Sequence, residues 1–535
     1  MTRTETPQEL SGSRTRYKPG SVILEGMPML DGRPLTPEDL PEPVLHAKDR
    51  WISLARRIRG QFSIVAKSDT AMVAVTDMTG SFPVFVNSRG PRTEFGPTFE
   101  SVSRGKPLPL DHKSAARYVA FESIGVNGSL AQGIRALPGS TVAFSRDSEV
   151  TTAGWFDWPA VAHSDPRPFE ELEEEFKSIF ASWAKVFLPK DGRIGLLLSG
   201  GTDSGVIAAL MKPLLGDRLV AITQDSILSR YSERSAAAET AERMKIPLLV
   251  APLSRGRYYR SVFAMNAANQ DAPIPFTEAH NGHVLASFAH EQGINTLLTG
   301  SNADCLFLGL DCYFEGLPTG TQEYLDAISK VTLQQKIDWC VGTPPALTPF
   351  SREILASLGV SIAEYESAIA ESYEGRRRRM EQLAPLFDLP TLQRVDFSIN
   401  GGFAWHGRQG GLPIMRAIPG CDMLCPYYDP ELIKFAIAVP KTMIIREGET
   451  KFFLREVLKR ATGLYRTKRA GSLSPLRYWR FAASPREYAR LSPALQGLYR
   501  RQIVRNVKAR GARYIELSKL SALGVWLKSH NIQVQ

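Results

Sequence analysis

Cysteine is scarce in this chain of 535 residues and missing from its first 304 positions: the five are Cys305, Cys312, Cys340, Cys421 and Cys425. An odd number confined to one half does not make a disulfide framework. No histidine pair stands near Cys421 and Cys425 to complete a zinc site. Long apolar runs are missing too, since nothing reaches the roughly 18 uninterrupted residues of a membrane span. Residues 1–17 are polar and of mixed charge, without the apolar stretch of a secretory signal. These absences predict a cytosolic protein with a disordered tail at 1–17. Aromatic residues are absent from the basic runs at 376–379 and 500–513. That argues against a base-stacking platform, so the runs read as solvated helix faces. The net charge of +10 suits an anionic nucleotide or an acidic peptide partner.

What is present is a change of pattern near residue 165. Before it, short apolar runs at 62–66, 72–75, 82–86 and 141–144 alternate with turn residues, which predicts a sheet-rich unit. After it, Phe169, Leu172, Phe176, Ile179, Phe180, Trp183 and Phe187 recur at three- and four-residue steps, the stripe of an amphipathic helix. Apolar runs at 194–198, 219–223, 247–250 and 296–299 then alternate with helical stretches at 206–211, 232–245 and 277–291. This order predicts an α/β fold with a doubly wound parallel sheet, continued by a mainly helical extension. The expected division is a tail at 1–17, one domain at 18–164 and a second at 165–535.

Three segments carry chemistry. Ser199, Gly200, Gly201, Thr202, Asp203 and Ser204 lie between a predicted strand and a predicted helix. Adjacent glycines let backbone approach an anion closely, and hydroxyls with free helix-start amides can hold phosphate oxygens. The lysine and spacer of a Walker loop are missing. A loop of this form holds the pyrophosphate that leaves when ATP is cut at its α-phosphate. Gly300, Ser301, Asn302, Ala303 and Asp304 follow a second strand of the same sheet. Ligands bind at the carboxyl ends of such strands, so Asp203 and Asp304 are candidate Mg²⁺ ligands beside substrate phosphates. The strand residues Ile222 and Thr223 are the candidate adenine contacts. Lys468, in a basic loop of small residues, and Lys451, at a helix start, read as surface charge on residue type alone.

Together and in this order, these motifs resemble the asparagine synthetase B superfamily. The likeness extends to Arg59-Gly60-Gln61-Phe62 and to Gly133 and Pro138-Gly139 in the first half. In the second half it extends to Pro426-Tyr427-Tyr428-Asp429, Thr450-Lys451 and Lys468. The resemblance implies a class II glutamine-amidotransferase-like first domain and a PP-loop synthetase second domain. It also implies ATP and Mg²⁺ as cofactors, Gly300 near the nucleotide, Lys451 on phosphate and Lys468 stabilising the transition state. Residue 2 is Thr2, where the amidotransferases carry their nucleophilic cysteine, so no glutamine hydrolysis is expected. Ser301 stands where lactam synthetases place a tyrosine, while Asp422 takes the place of their glutamate as acid or base.

Within the superfamily the chain most resembles lasso peptide cyclases, through residues 22–26, 31–35 and 467–469. That likeness implies a leaderless core peptide as substrate, closed into a macrolactam through an Asp or Glu side chain. A leader peptidase and a leader-recognition protein would be its partners. The alternative is a small-molecule amide or lactam synthetase with a free amine donor. A PP-loop nucleic-acid modifier is favoured only by charge, and the intact Asp203, Asp304 and Lys468 speak against a decayed scaffold.

Overall fold

The computed structural model describes residues 15–16, 22–125, 127–146, 149–161, 165–225, 233–252, 254–269, 272–274, 278–309, 330–399, 410–446, 449–466, 495–496 and 514–534. Lys468, Cys312 and the basic run at 500–513 lie outside them, as does most of the tail at 1–17. That tail is not wholly without structure: Thr15–Arg16 forms an edge strand, Thr15 opposite Leu24 and Arg16 opposite Ile23.

The first half is built on an antiparallel sheet whose spatial order follows the chain: β1 (Thr15–Arg16), β2 (Val22–Gly26), β3 (Phe62–Lys67), β4 (Met72–Thr76), β5 (Thr141–Arg146) and β6 (Glu149–Gly154). Side chains alternate across it as the two-residue period requires. Ile64, Ala66, Val73 and Val75 face the main core, whereas Val65 and Ala74 face a small three-stranded sheet around Val86 and Phe95. The Asp77 carboxylate holds the turn after β4 by accepting from Thr79 and Ser81 and from the Phe62 and Phe82 amides.

The predicted amphipathic helix is α1 (Phe169–Phe187), which buries Leu172, Phe176, Phe180, Trp183 and Phe187. It lies between the halves, so Ile64 and Val75 share one apolar core with Leu196, Val206 and Tyr427. Then come β7 (Ile194–Leu197), α2 (Thr202–Leu215), β8 (Leu219–Asp225), α3 (Glu233–Arg243), β9 (Leu248–Pro252), α4 (Arg255–Ala268), α5 (Glu278–Glu291) and β10 (Thr296–Leu298). The sheet has a fifth strand, β11 (Asp422–Leu424), and its order is β9-β8-β7-β10-β11 with every pair parallel. The doubly wound expectation therefore holds. The additions are α4 and the short β11, whose three residues give no periodic signal.

Ion pairs tie the halves together: Arg59 to Asp429 at 3.0 Å and Arg416 to Glu25 at 3.0 Å. Near the C-terminus, Ile532–Gln533 pairs in parallel with Leu108–Pro109 of the first half. The arginines of 376–379 sit on a long helix, Ile362–Leu383. Arg376 reaches the buried Asp396 at 2.7 Å, Arg377 reaches Asp338 at 2.9 Å and Arg378 reaches Glu374 at 3.3 Å. Much of that run is thus matched by carboxylates within the fold.

Candidate active site

The loop between β7 and α2 owes its shape to Gly200, which has φ +76°. A Cβ there would lie 2.5 Å from the Ala236 carbonyl carbon and 2.6 Å from the Ala237 amide nitrogen of α3. The small residues of α3 let it back the loop this closely. Within the loop, the Gly201 amide donates to Ser199 Oγ at 3.2 Å, and the Ser199 and Ser204 hydroxyls lie 3.2 Å apart. Ser204 is buried and also accepts from the Ser199 amide at 3.3 Å, so it braces the turn from inside. No side-chain cap closes α2, whose first-turn amides remain directed to an incoming anion.

Gly300 lies two residues past the end of the adjacent strand β10. A Cβ on it would come within 3.1 Å of Asp203 Cβ, so the two strand-end loops are in contact. This contact brings Asp203 and Asp304 to one place, as expected from the sequence, and Lys451 stands between them. Its ammonium donates to both Asp203 oxygens at 2.7 Å and also pairs with Asp304. Lys451 caps α6 (Phe452–Thr462) with a left-handed backbone, φ +56°, uncommon for a lysine. Burial disfavours its charge, but the two carboxylates outweigh that and hold its pKa above the ordinary value. Burial and the neighbouring Asp304 push Asp203 upward against the pull of Lys451.

This donor set fits Mg²⁺. Two carboxylates from two strand ends converge on a position already held by a positive charge, and Mg²⁺ commonly takes one or two carboxylates plus phosphate oxygens and water. Among the described residues no group of three or more His, Cys, Asp or Glu could hold a metal. A divalent cation here would therefore depend on nucleotide phosphates to complete its shell.

Other expected residues sit differently. The Ile222 side chain is fully buried in the core, and its carbonyl accepts from the Leu198 amide at 2.9 Å. Thr223 is buried too. What β8 offers a nucleotide is its carboxyl edge, where Gln224 keeps a buried Oε1 without a donor. Asp422 begins β11 opposite Thr296, a strand's length before the Gly300 loop. It lines a cavity of about 230 Å³ between the halves instead of the nucleotide end. Burial alone pushes its carboxyl up to about 6. The cavity and the nucleotide end are linked through Cys425, which lines the cavity and donates from Sγ to the Ser301 carbonyl at 2.9 Å. Tyr427, two residues on, reaches the Asp203 carbonyl at 3.4 Å.

Residues 182–389 and 414–523, more than half of the chain, match the family described as asparagine synthase. The chain belongs to the asparagine synthase family. It is an ATP-dependent amide-forming ligase of that kind. It is 21% identical over 459 residues to asparagine synthetase [glutamine-hydrolyzing] 1 of Bacillus subtilis, covering 79% of this chain and 69% of that protein. Among solved structures, it matches an NH3-dependent NAD synthetase from Campylobacter jejuni with a TM-score of 0.23 and 13% identity, over 45% of this chain and 96% of that one. A glutamine-dependent NAD+ synthetase from Acinetobacter baumannii matches with a TM-score of 0.20 and 17% identity, over 51% and 62% of the two chains. No helix among the described residues is long and apolar enough to cross a membrane.

Proposed function

We propose that this ligase closes a macrolactam ring in a leaderless core peptide, joining the peptide's N-terminal amine to an Asp or Glu side chain of the same molecule. The observation that carries the activation step is the convergence of Asp203, Asp304 and Lys451 at the glycine loop. The substrate carboxylate attacks the α-phosphorus of ATP, the bond to the β-phosphate oxygen breaks, and pyrophosphate leaves into the loop of Ser199 to Ser204. Asp203 and Asp304 would hold Mg²⁺ there, and Mg²⁺ supplies neutralisation of the phosphate charge. Lys451, freed from the carboxylates, turns its ammonium to the phosphates. Asp422 takes a proton from the incoming ammonium, which leaves a neutral amine able to attack. The amine nitrogen then bonds to the activated carbonyl and loses its second proton to the phosphate of the departing AMP as the carbonyl–oxygen bond to AMP breaks. Lys468 is assigned to stabilise the negative charge developing at that carbonyl.

Residues 18–164 contain no cysteine, so this domain offers no thiol for glutamine hydrolysis. We read it as a glutaminase-like domain without its nucleophile, the amine coming from the substrate itself. A leader peptidase and a leader-recognition protein would deliver that substrate. The test is mass spectrometry of leaderless core peptides with ATP and enzyme. One water should be lost from the peptide for each AMP formed. AMP formation without water loss from any core peptide would sink the macrolactam reading and leave adenylation standing.

A further inference from the structure

The glycine loop and the turn that carries Lys451 meet at Asp203, and a second connection joins them from behind. It begins at Lys451, which is pinned from both sides. Glu449, two residues before it, and Arg455, four residues after it, form an ion pair at 3.0 Å. The Arg455 amide also donates to the Lys451 carbonyl at 3.0 Å. Together they close over a residue held in a left-handed backbone that a lysine rarely adopts. Glu449 has a further partner, because the Tyr465 hydroxyl donates to its carboxylate. Burial and that carboxylate push the Tyr465 hydroxyl up to about 12, so it remains a donor at neutral pH.

Arg466, the next residue, engages the other side. Its buried guanidinium lies on α3, reaching Glu239 at 2.8 Å, the Thr240 hydroxyl at 3.0 Å and the Ala236 carbonyl at 3.3 Å. Ala236 is the residue against which Gly200 rests. Thr240 donates to the same carbonyl at 2.9 Å, and at the far end of α3 Arg243 donates to the Thr462 carbonyl at 3.4 Å. The segment 462–466 therefore runs along α3 and ends at the wall behind the glycine loop. We infer that Tyr465 and Arg466 are positioning residues that act as one strut, holding the Lys451 turn in register with the glycine loop across the phosphates of ATP. Both act through other residues, Tyr465 through Glu449 and Arg466 through Ala236. The inference rests on the assignment of Lys451 and the Ser199 to Ser204 loop to the phosphates, and not on ring closure. A strut works only while both ends are attached, and that sets the pattern of losses.

The test is calorimetric or NMR titration of the full-length protein with MgATP and with AMP, which lacks the two phosphates that the strut serves. Tyr465→Phe keeps the ring and removes only the hydroxyl. Losing that charge-assisted bond should weaken MgATP at least about fivefold and leave AMP within about twofold of the wild type. Arg466→Met, which keeps the buried stem, should act on the two nucleotides in the same way. The double variant should be no weaker than the weaker single, whereas independent effects would multiply to about 25-fold. If Arg466→Met does not fold, Arg466→Lys takes its place, since lysine keeps the charge but lacks the fork that spans Glu239 and Ala236. Unchanged MgATP affinity in Tyr465→Phe, equal losses for ATP and AMP, or losses that multiply would each overturn the inference. Lys451→Met separates the strut from the reading beneath it. Unchanged MgATP affinity in that variant refutes the assignment of Lys451 to the phosphates. A loss there beside an unaffected Tyr465→Phe refutes the strut alone.

Discussion

Two carboxylate sites lie along the same parallel sheet, and the protein treats their charges in opposite ways. At the carboxyl ends of β7 and β10, Asp203 and Asp304 would repel each other, but the fold threads Lys451 between them. At the amino end of β11, Asp422 is left with no cation, and its proton is retained to about pH 6. A buried charge is tolerable when paired and costly when alone. The first site therefore has its negative charge met from within the fold, and under the proposed function Lys451 would give way there to Mg²⁺ and phosphate. The second is an incomplete site, ready to accept a charge from outside. Cys425 and Tyr427, either side of Pro426, connect one to the other.

The comparison breaks most readily at the first site. Asp304→Asn should lower pyrophosphate release at least about 10²-fold, since it removes one of two anionic groups from a cation position that depends on charge. Unchanged release from a folded variant would remove Asp304 from the metal pair. A smaller effect is expected from Lys451→Met in the nucleotide-free protein. Breaking a buried ion pair typically costs 3–5 kcal/mol. About 3 is expected here, because the Asp304 side chain keeps 42% of its surface in solvent. Urea denaturation would read that loss. A variant as stable as the wild type would mean that Lys451 does not meet the charge of the pair.

The nucleotide half of this arrangement was legible from the sequence because strand–loop–helix punctuation is local. Ser199 to Ser204 sit between an apolar run and a helix, and Asp304 follows the third strand after that run. The helix stripe from Phe169 to Phe187 was equally plain, its period set by one buried face. What the sequence could not show was long-range pairing. The order β9-β8-β7-β10-β11 joins Asp422 to Thr296, 126 positions apart, through a three-residue strand too short to have a period. That pairing puts Asp422 at the amino end of β11, where it lines the cavity between the halves. Arg416 gave no signal at all, since its meaning comes from Glu25 and Pro97 in the other half. The arginines at 376–378 read as a solvated patch because their carboxylate partners lie up to 39 positions away.

The smallest effect expected is also the one that sets the two sites apart in sign. An unfolded chain releases the Asp422 proton near the ordinary value of 3.8, whereas the folded protein keeps it to about 6. The folded state therefore binds this proton more tightly. Its contribution to stability is fully present below about pH 4 and is lost as the pH rises through 6. Above that, the desolvated carboxylate costs up to about 3 kcal/mol, two pKa units at 1.36 kcal/mol each, less whatever water reaches its exposed part. Asp422→Asn removes the charge and keeps the shape. It should match the wild type at pH 4 and become the more stable protein by pH 7.5, with the gain appearing between the two. Asp203→Asn should do the reverse at pH 7.5, because it deprives Lys451 of a partner. Denaturant midpoints for the three proteins at pH 4, 6 and 7.5 decide the matter. If Asp422→Asn were no more stable than wild type at pH 7.5, its carboxylate would have a partner within the fold, and the cavity would have no charge left to offer an amine.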